Sequence, residues 1–275
     1  MSRSAPIILR PSRGWRGLNL TELWRFRELL FFFVWRDIKV RYKQTILGVV
    51  WVLARPVLSV VIFTLVFGKL AKMPSDGLPY PIFVLAAMIP WNFFAGALAA
   101  GSNSIQANAH LITKVYFPRL LIPIASVLSG VVDIAITFAL VLVLMAWYGR
   151  IPPAHALLTV PILFIMTTII ALGMSFWLGA LNVSYRDVGN IVPFLIQIWM
   201  YATPVVYPLS LVPAKWRWIV AMNPMTGVVE AFRAALFGGQ WVRLPLILAL
   251  FLGATFLVTG VFYFRRVEST FADTV

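Results

Sequence analysis

Long apolar runs, repeated along the whole chain, constrain its fold more than any other feature. They lie at about 46–68, 82–105, 120–147, 156–181, 190–207 and 244–264. A helix needs roughly 20 apolar residues to cross the ~30 Å hydrocarbon core of a bilayer. The runs therefore predict six transmembrane helices. Hydrophobic residues are 61% of the chain and charged residues 12%, against about 45–50% and about 25% in soluble domains. A soluble fold of 275 residues could not hide that much apolar surface, which excludes a soluble enzyme. The expected fold class is an all-α polytopic membrane protein.

The segments between the runs complete the outline. Residues 1–20 are basic and broken by Pro6, Pro11 and Gly14, which predicts a flexible cytosolic tail. They lack the apolar core and cleavage site of a signal peptide. Residues 21–275 form one transmembrane domain. It opens at 21–35, where Glu22, Arg25 and Glu28 share one helical stripe and Leu23, Trp24, Phe26, Leu30 and Phe33 fill the rest. That pattern predicts an amphipathic helix at the membrane interface. Residues 208–243 are too long for a turn and too apolar for a solvated loop. Two short helical patterns flank Asn223-Pro224, a turn signal. They predict an extracytoplasmic helical hairpin between spans five and six, at the membrane surface or re-entrant.

Six spans place both termini on one side. The segment through residue 45 carries ten Lys and Arg. With 106–119, 182–189 and the tail, that side holds fifteen, against seven on the other. Without the N-terminal segment the balance is five to seven, so orientation rests on it. Basic residues stay inside, and both termini are expected in the cytoplasm. The net charge of +14 fits membrane orientation better than nucleic-acid binding.

Catalytic chemistry finds little footing. There is no Cys, hence no thiolate nucleophile and no zinc–thiolate site. His110 and His155 are isolated, and the nine acids are scattered. A membrane-embedded glycosyl- or acyltransferase would need a carboxylate, His or metal constellation. No G-x-x-x-x-G-K followed by Ser or Thr occurs, so no P-loop is present. The chain is expected to bind no metal and no cofactor itself.

The string RDIKVRYKQTILGVVWVLARP, residues 36–56, resembles the start of permease subunits of type-2 ABC exporters for O-antigen, capsular polysaccharide or teichoic acid. NAHLITKVYFPRLLIP at 108–123 is the most specific match. PWNFF at 90–94, YRDVGNI at 185–191, TPVVYP at 203–208 and NPMTGVVEAFR at 223–233 follow in the family's order, and the tail FRRVESTFADTV closes it. The resemblance implies a homodimer in a bacterial inner membrane, partnered by two copies of a cytosolic ATPase that holds ATP and Mg. It implies export of a lipid-linked polysaccharide through a channel between the two permeases. A small-molecule or drug exporter of the same fold stays open.

Candidate residues follow from these readings. A short helix in the 106–119 loop, with apolar Leu111, Ile112, Val115, Tyr116 and Phe117 and rim charges Lys114 and Arg119, suits docking in an ATPase groove. The resemblance makes this loop the coupling helix and includes Asn108. Arg36, Asp37, Lys39, Arg41 and Lys43 precede the first span. They read as charge meeting anionic lipid, or as a cytosolic gate touching the ATPase or a lipid head. Asp37 and Arg41 form an i,i+4 pair. Arg55 and Asp133 are charges within spans. Such charges are costly and usually face the bundle interior or water. Arg55 precedes Pro56 and either snorkels back to the cytosolic face or meets an anionic lipid head, whereas Asp133 shares a polar stripe with Ser126, Ser129 and Thr137 suited to helix contacts. Trp51, Trp199, Tyr201 and Tyr207 are candidate channel-lining rings. The resemblance implies that the first and fifth spans border the channel, and rings can stack on the apolar faces of a sliding sugar chain.

Overall fold

The computed structural model describes residues 20–43, 48–185 and 187–271. The expected tail through residue 19 lies outside the described residues, as do Arg186, the last four residues and the Trp51 side chain. Among the described residues the regular structure is all helical. The order is α1 (Leu20–Arg25), α2 (Arg27–Lys43), α3 (Gly48–Phe63), α4 (Tyr80–Ala107), α5 (Ala109–Lys114), α6 (Leu121–Leu128), α7 (Val131–Trp147), α8 (Ala156–Ser184), α9 (Val188–Ala202), α10 (Arg217–Ala221), α11 (Pro224–Phe237) and α12 (Arg243–Val267). A π-helical stretch, Thr64–Leu70, extends α3.

Among the described residues, five helical stretches are long and apolar enough to cross a membrane: Leu53–Leu70, Tyr80–Ala107, Leu121–Trp147, Ala156–Ser184 and Arg243–Thr270. The run expected at 190–207 behaves differently. Its helix, α9, has 15 residues and rises about 22 Å, short of a full crossing. It stops because Thr203 precedes Pro204, which disfavours helical backbone at the residue before it. Thr203 is accordingly extended, at φ −97° and ψ 140°. The chain then runs on without helix, largely buried, through Pro208.

The third expected run is one helix in sequence and two in structure. α6 ends at Leu128, and α7 begins at Val131 beyond Ser129 and Gly130. Gly130 lies against Phe93, whose ring would sit 3.2 Å from an added Cβ.

α4 is the centre of the bundle: 78% of its span is buried, against 11% for the first span. It packs on α8, α6, α11 and α7, while α12 lies along α8. Small residues set that last contact. A Cβ on Gly173 would fall 2.4 Å from the Leu257 amide nitrogen, and one on Gly260 would fall 2.3 Å from the Gly173 carbonyl oxygen. In lipid, such close backbone approach drives helix association through packing.

The two limbs of the expected hairpin part company. α10 is exposed, but twelve of the fourteen residues of α11 are buried. α11 therefore packs within the bundle, against α12, α4 and α8. Gly227 permits this, since its Cβ would collide with the Pro245 carbonyl oxygen at 2.2 Å. The N-terminal helical region also exceeds its expected bounds, because α2 continues through Lys43 and absorbs the basic string.

Candidate functional site

One end of the bundle gathers α2, α5, the 115–120 segment and the chain after α12. Phe33 of α2 meets Phe117 edge-on, with centroids 5.5 Å apart. One turn on, Arg36 donates to Asp37 and to Asn108 Oδ1, both at 2.8 Å. Its guanidinium also lies 5.0 Å from the Phe33 ring. Asn108 in turn donates through Nδ2 to the Ser104 carbonyl at 2.9 Å. Past Phe117, the Arg119 backbone N–H donates to Glu268 Oε1 at 3.2 Å, and its guanidinium donates to the Glu268 carbonyl. Phe271 is fully buried, edge-on to Phe264.

The segment is thus held at both ends and free at its tip. Of its five apolar candidates, Val115 and Tyr116 project, with Tyr116 70% exposed. Leu111 is half-buried, while Ile112 and Phe117 are 5% exposed and face inward. Lys114, Thr113 and His110 surround the projecting pair at the surface. Such a tip offers an apolar anchor with a basic rim, which is the chemistry of a docking contact.

The remaining charges near α2 also divide. Arg41 does not meet Asp37. It reaches 2.6 Å to Asp133 Oδ2 in the first turn of α7 and 3.4 Å to Ser129 Oγ. Tyr42 donates its hydroxyl to the other Asp133 oxygen. Burial first, and the Asp133 carboxylate second, push the Tyr42 pKa up, so the hydroxyl keeps its proton for this bond. The expected i,i+4 pair fails because Asp133 and Ser129 each take one Arg41 nitrogen, whereas Asp37 is already taken by Arg36. Arg55 is exposed on α3.

The opposite end is tied by α11. Arg233, 6% exposed, pairs with Glu230 at 2.9 Å and donates to the Val205 carbonyl at 2.7 Å and the Phe83 carbonyl at 3.4 Å. Its guanidinium lies 3.6 Å from the Phe83 ring. Tyr80 donates to the Val206 carbonyl at 2.6 Å. Trp199 is half-buried and packs edge-on against Phe94 at 5.2 Å. Tyr207 is half-buried, and Tyr201 is 52% exposed. Among the described residues no three His, Cys, Asp or Glu side chains gather as a metal-holding group.

Sequence reasoning passed over Tyr42, Glu268, Glu230 and Arg233 as partners. Glu268 and Arg233 both fall inside recognisable strings, but no local spacing says that they reach across the fold.

The family profile for the ABC-2 type transporter matches residues 28–237, a stretch that runs from α2 through the end of α11. The chain belongs to the ABC-2 type transporter family. Relatives of this ABC-2 chain include an O-antigen export system permease protein RfbA of Myxococcus xanthus, 30% identical over 78% of the chain and 83% of the relative. An RfbA of Klebsiella pneumoniae is 28% identical over 90% and 94%. The polysialic acid transport protein KpsM of Escherichia coli is 22% identical over 74% and 79%. The family places the chain among membrane transporter components, consistent with the five long apolar helices among its described residues.

Proposed function

We propose that this chain is the permease of an ATP-driven exporter for a lipid-linked polysaccharide of O-antigen type. The observation that carries this reading is the extent of the correspondence: relatives named for O-antigen export match over 83% and 94% of their own lengths. A small-molecule exporter of the same fold is the alternative, and no relative named above favours it.

In this reading α9 and the segment after it complete a sixth crossing. Both termini and the 106–119 segment then face the cytoplasm. Support comes from Arg36–Asn108 and Arg119–Glu268 at one end and Tyr80–Val206 and Ser210–Asp76 at the other. Val115 and Tyr116 dock on a cytosolic ATPase, which carries ATP and Mg. Two permeases enclose the path. The outward faces of α3 (Leu58, Val61, Ile62) and α9 (Phe194, Ile198, Tyr201) are exposed in a single chain and would border it. Arg36, Arg41 and Arg55 sit where an anionic lipid head would arrive.

Complementation tests the substrate. The chain and its ATPase, expressed in an O-antigen export mutant supplied with the matching polymer, should restore surface polysaccharide. Drug efflux without surface polymer would favour the alternative.

A further inference from the structure

The contact between α2 and α7 has features of a joint made to part. α2 packs on α6 and touches α3, whereas α7 packs on α4 and α3. The C-terminal end of α2 reaches α7 chiefly through polar atoms, with Arg41 and Tyr42 both on the Asp133 carboxylate. Asp133 stands just beyond the Ser129–Gly130 interruption that separates α7 from α6. The break in helix there falls within one turn of the Asp133 contact. Arg41 and Asp133 are each 37% exposed. Neither side chain is locked in the packed interior, so the pair can be broken and remade without opening the core. The middle of α2 is gripped by the segment that bears Val115 and Tyr116, through Phe33–Phe117 and Arg36–Asn108. α2 thus spans from the projecting tip to α7.

We propose that Arg41 and Tyr42 with Asp133 form a latch that opens in every transport cycle. Closed, it fixes the end of α2 against α7; open, it lets α2 follow the 106–119 segment. Asp133 is a positioning residue that acts through α2. The proposal rests on the transporter reading above.

The chain has no Cys, so a double variant, Arg41→Cys with Asp133→Cys, can be bridged by a reducible bifunctional methanethiosulfonate reagent in the assembled permease–ATPase complex. Bridging should lower export at least tenfold against the same variant unbridged, and dithiothreitol should restore it. Export within twofold after complete bridging overturns the latch. If the unmodified complex exports no lipid-linked polymer, the substrate reading fails. The latch is then judged by bridging yield, which should drop severalfold with ATP and vanadate; equal yields overturn it. If the double variant does not insert, Asp133→Asn decides. Polymer exported per ATP hydrolysed should fall severalfold, and Asp133→Glu should recover it. An unchanged ratio in Asp133→Asn overturns the proposal.

Discussion

Trp199 and Asn223 share a 3.0 Å hydrogen bond, indole N–H to amide oxygen, that ties the last turn of α9 to the start of α11. The same Asn223 oxygen caps α11 by accepting from the Met225 N–H at 3.0 Å, and its Nδ2 donates to Thr203 Oγ1 at 2.8 Å. One side chain thus closes the region where α9 stops short.

Asn223→Ala should therefore destabilise more than an ordinary cap loss. A cap is worth about 1 kcal/mol, and leaving buried donors unmet adds about 1–3 kcal/mol. Thermal unfolding in detergent, followed by size-exclusion fluorescence, should show a lower midpoint. Trp199→Phe should lower it less, because packing on Phe94 survives. Equal midpoints for wild type and Asn223→Ala would remove the tie.

Arg233→Leu should be among the most damaging substitutions in the chain. It leaves Glu230 buried without its partner and the Val205 carbonyl without its donor, at a cost of about 3–5 kcal/mol. Adding Glu230→Gln should recover part of the loss, since the orphaned charge is gone. A double variant as unstable as the single one would show that the carbonyl bonds, not the ion pair, dominate.

Tyr116→Ala and Phe117→Ala should separate binding from folding. Tyr116 projects, so its loss should weaken recovery of the ATPase by co-purification and leave the unfolding midpoint unchanged. Phe117 is buried on Phe33, and truncating such a ring costs about 3–5 kcal/mol. Its variant should lose stability first. Identical behaviour of the two would mean that the tip does not dock.

These contrasts mark where the sequence was legible. The long runs were read to within a few residues at 82–105, 156–181 and 244–264, because hydropathy alone decides a span of that length. α9 was overextended, since TPVVYP carries no charge to end the apolar run and Pro204 alone marks where the helix stops. α11 was read, from its short length and the Asn223-Pro224 turn, as one limb of a hairpin at the membrane surface or re-entrant, although it carries Glu230 and Arg233 into the bundle. Their mutual pairing three residues apart lets both point inward, and charge pattern cannot distinguish that from a solvated face. Asp133 was legible as a polar helix contact, but its partner 92 residues away was not. Of the five apolar residues expected on display at 106–119, Val115 and Tyr116 project, while Ile112 and Phe117 serve the interior, which spacing in a short loop does not reveal.

Orientation can be read with single cysteines in this Cys-free chain. Thr113 and Lys215 are both exposed and belong to opposite ends. A membrane-impermeant maleimide should label Lys215→Cys in intact cells and reach Thr113→Cys only after permeabilisation. The reverse pattern would invert the proposed topology and move the docking tip away from any cytosolic ATPase.

The transport path is tested at Tyr201, because exposure there has two rival meanings. On a lone α9 the ring faces either lipid or a passage shared with a second copy. Its neighbours Phe194 and Ile198 are also exposed, so hydropathy does not choose between them. A cysteine at Tyr201 in a water-filled path would ionise and react with a charged, bulky thiosulfonate, blocking export. A cysteine at Leu250, exposed on α12, should be inert to the same reagent if α12 faces lipid. Tyr201→Ala should slow export by loss of a stacking surface, and Tyr201→Phe should retain most of it, since a ring face rather than the hydroxyl meets the sugar. Protection of Tyr201→Cys from the charged reagent, together with undiminished export by Tyr201→Ala, would place this face of α9 in lipid and put the passage elsewhere.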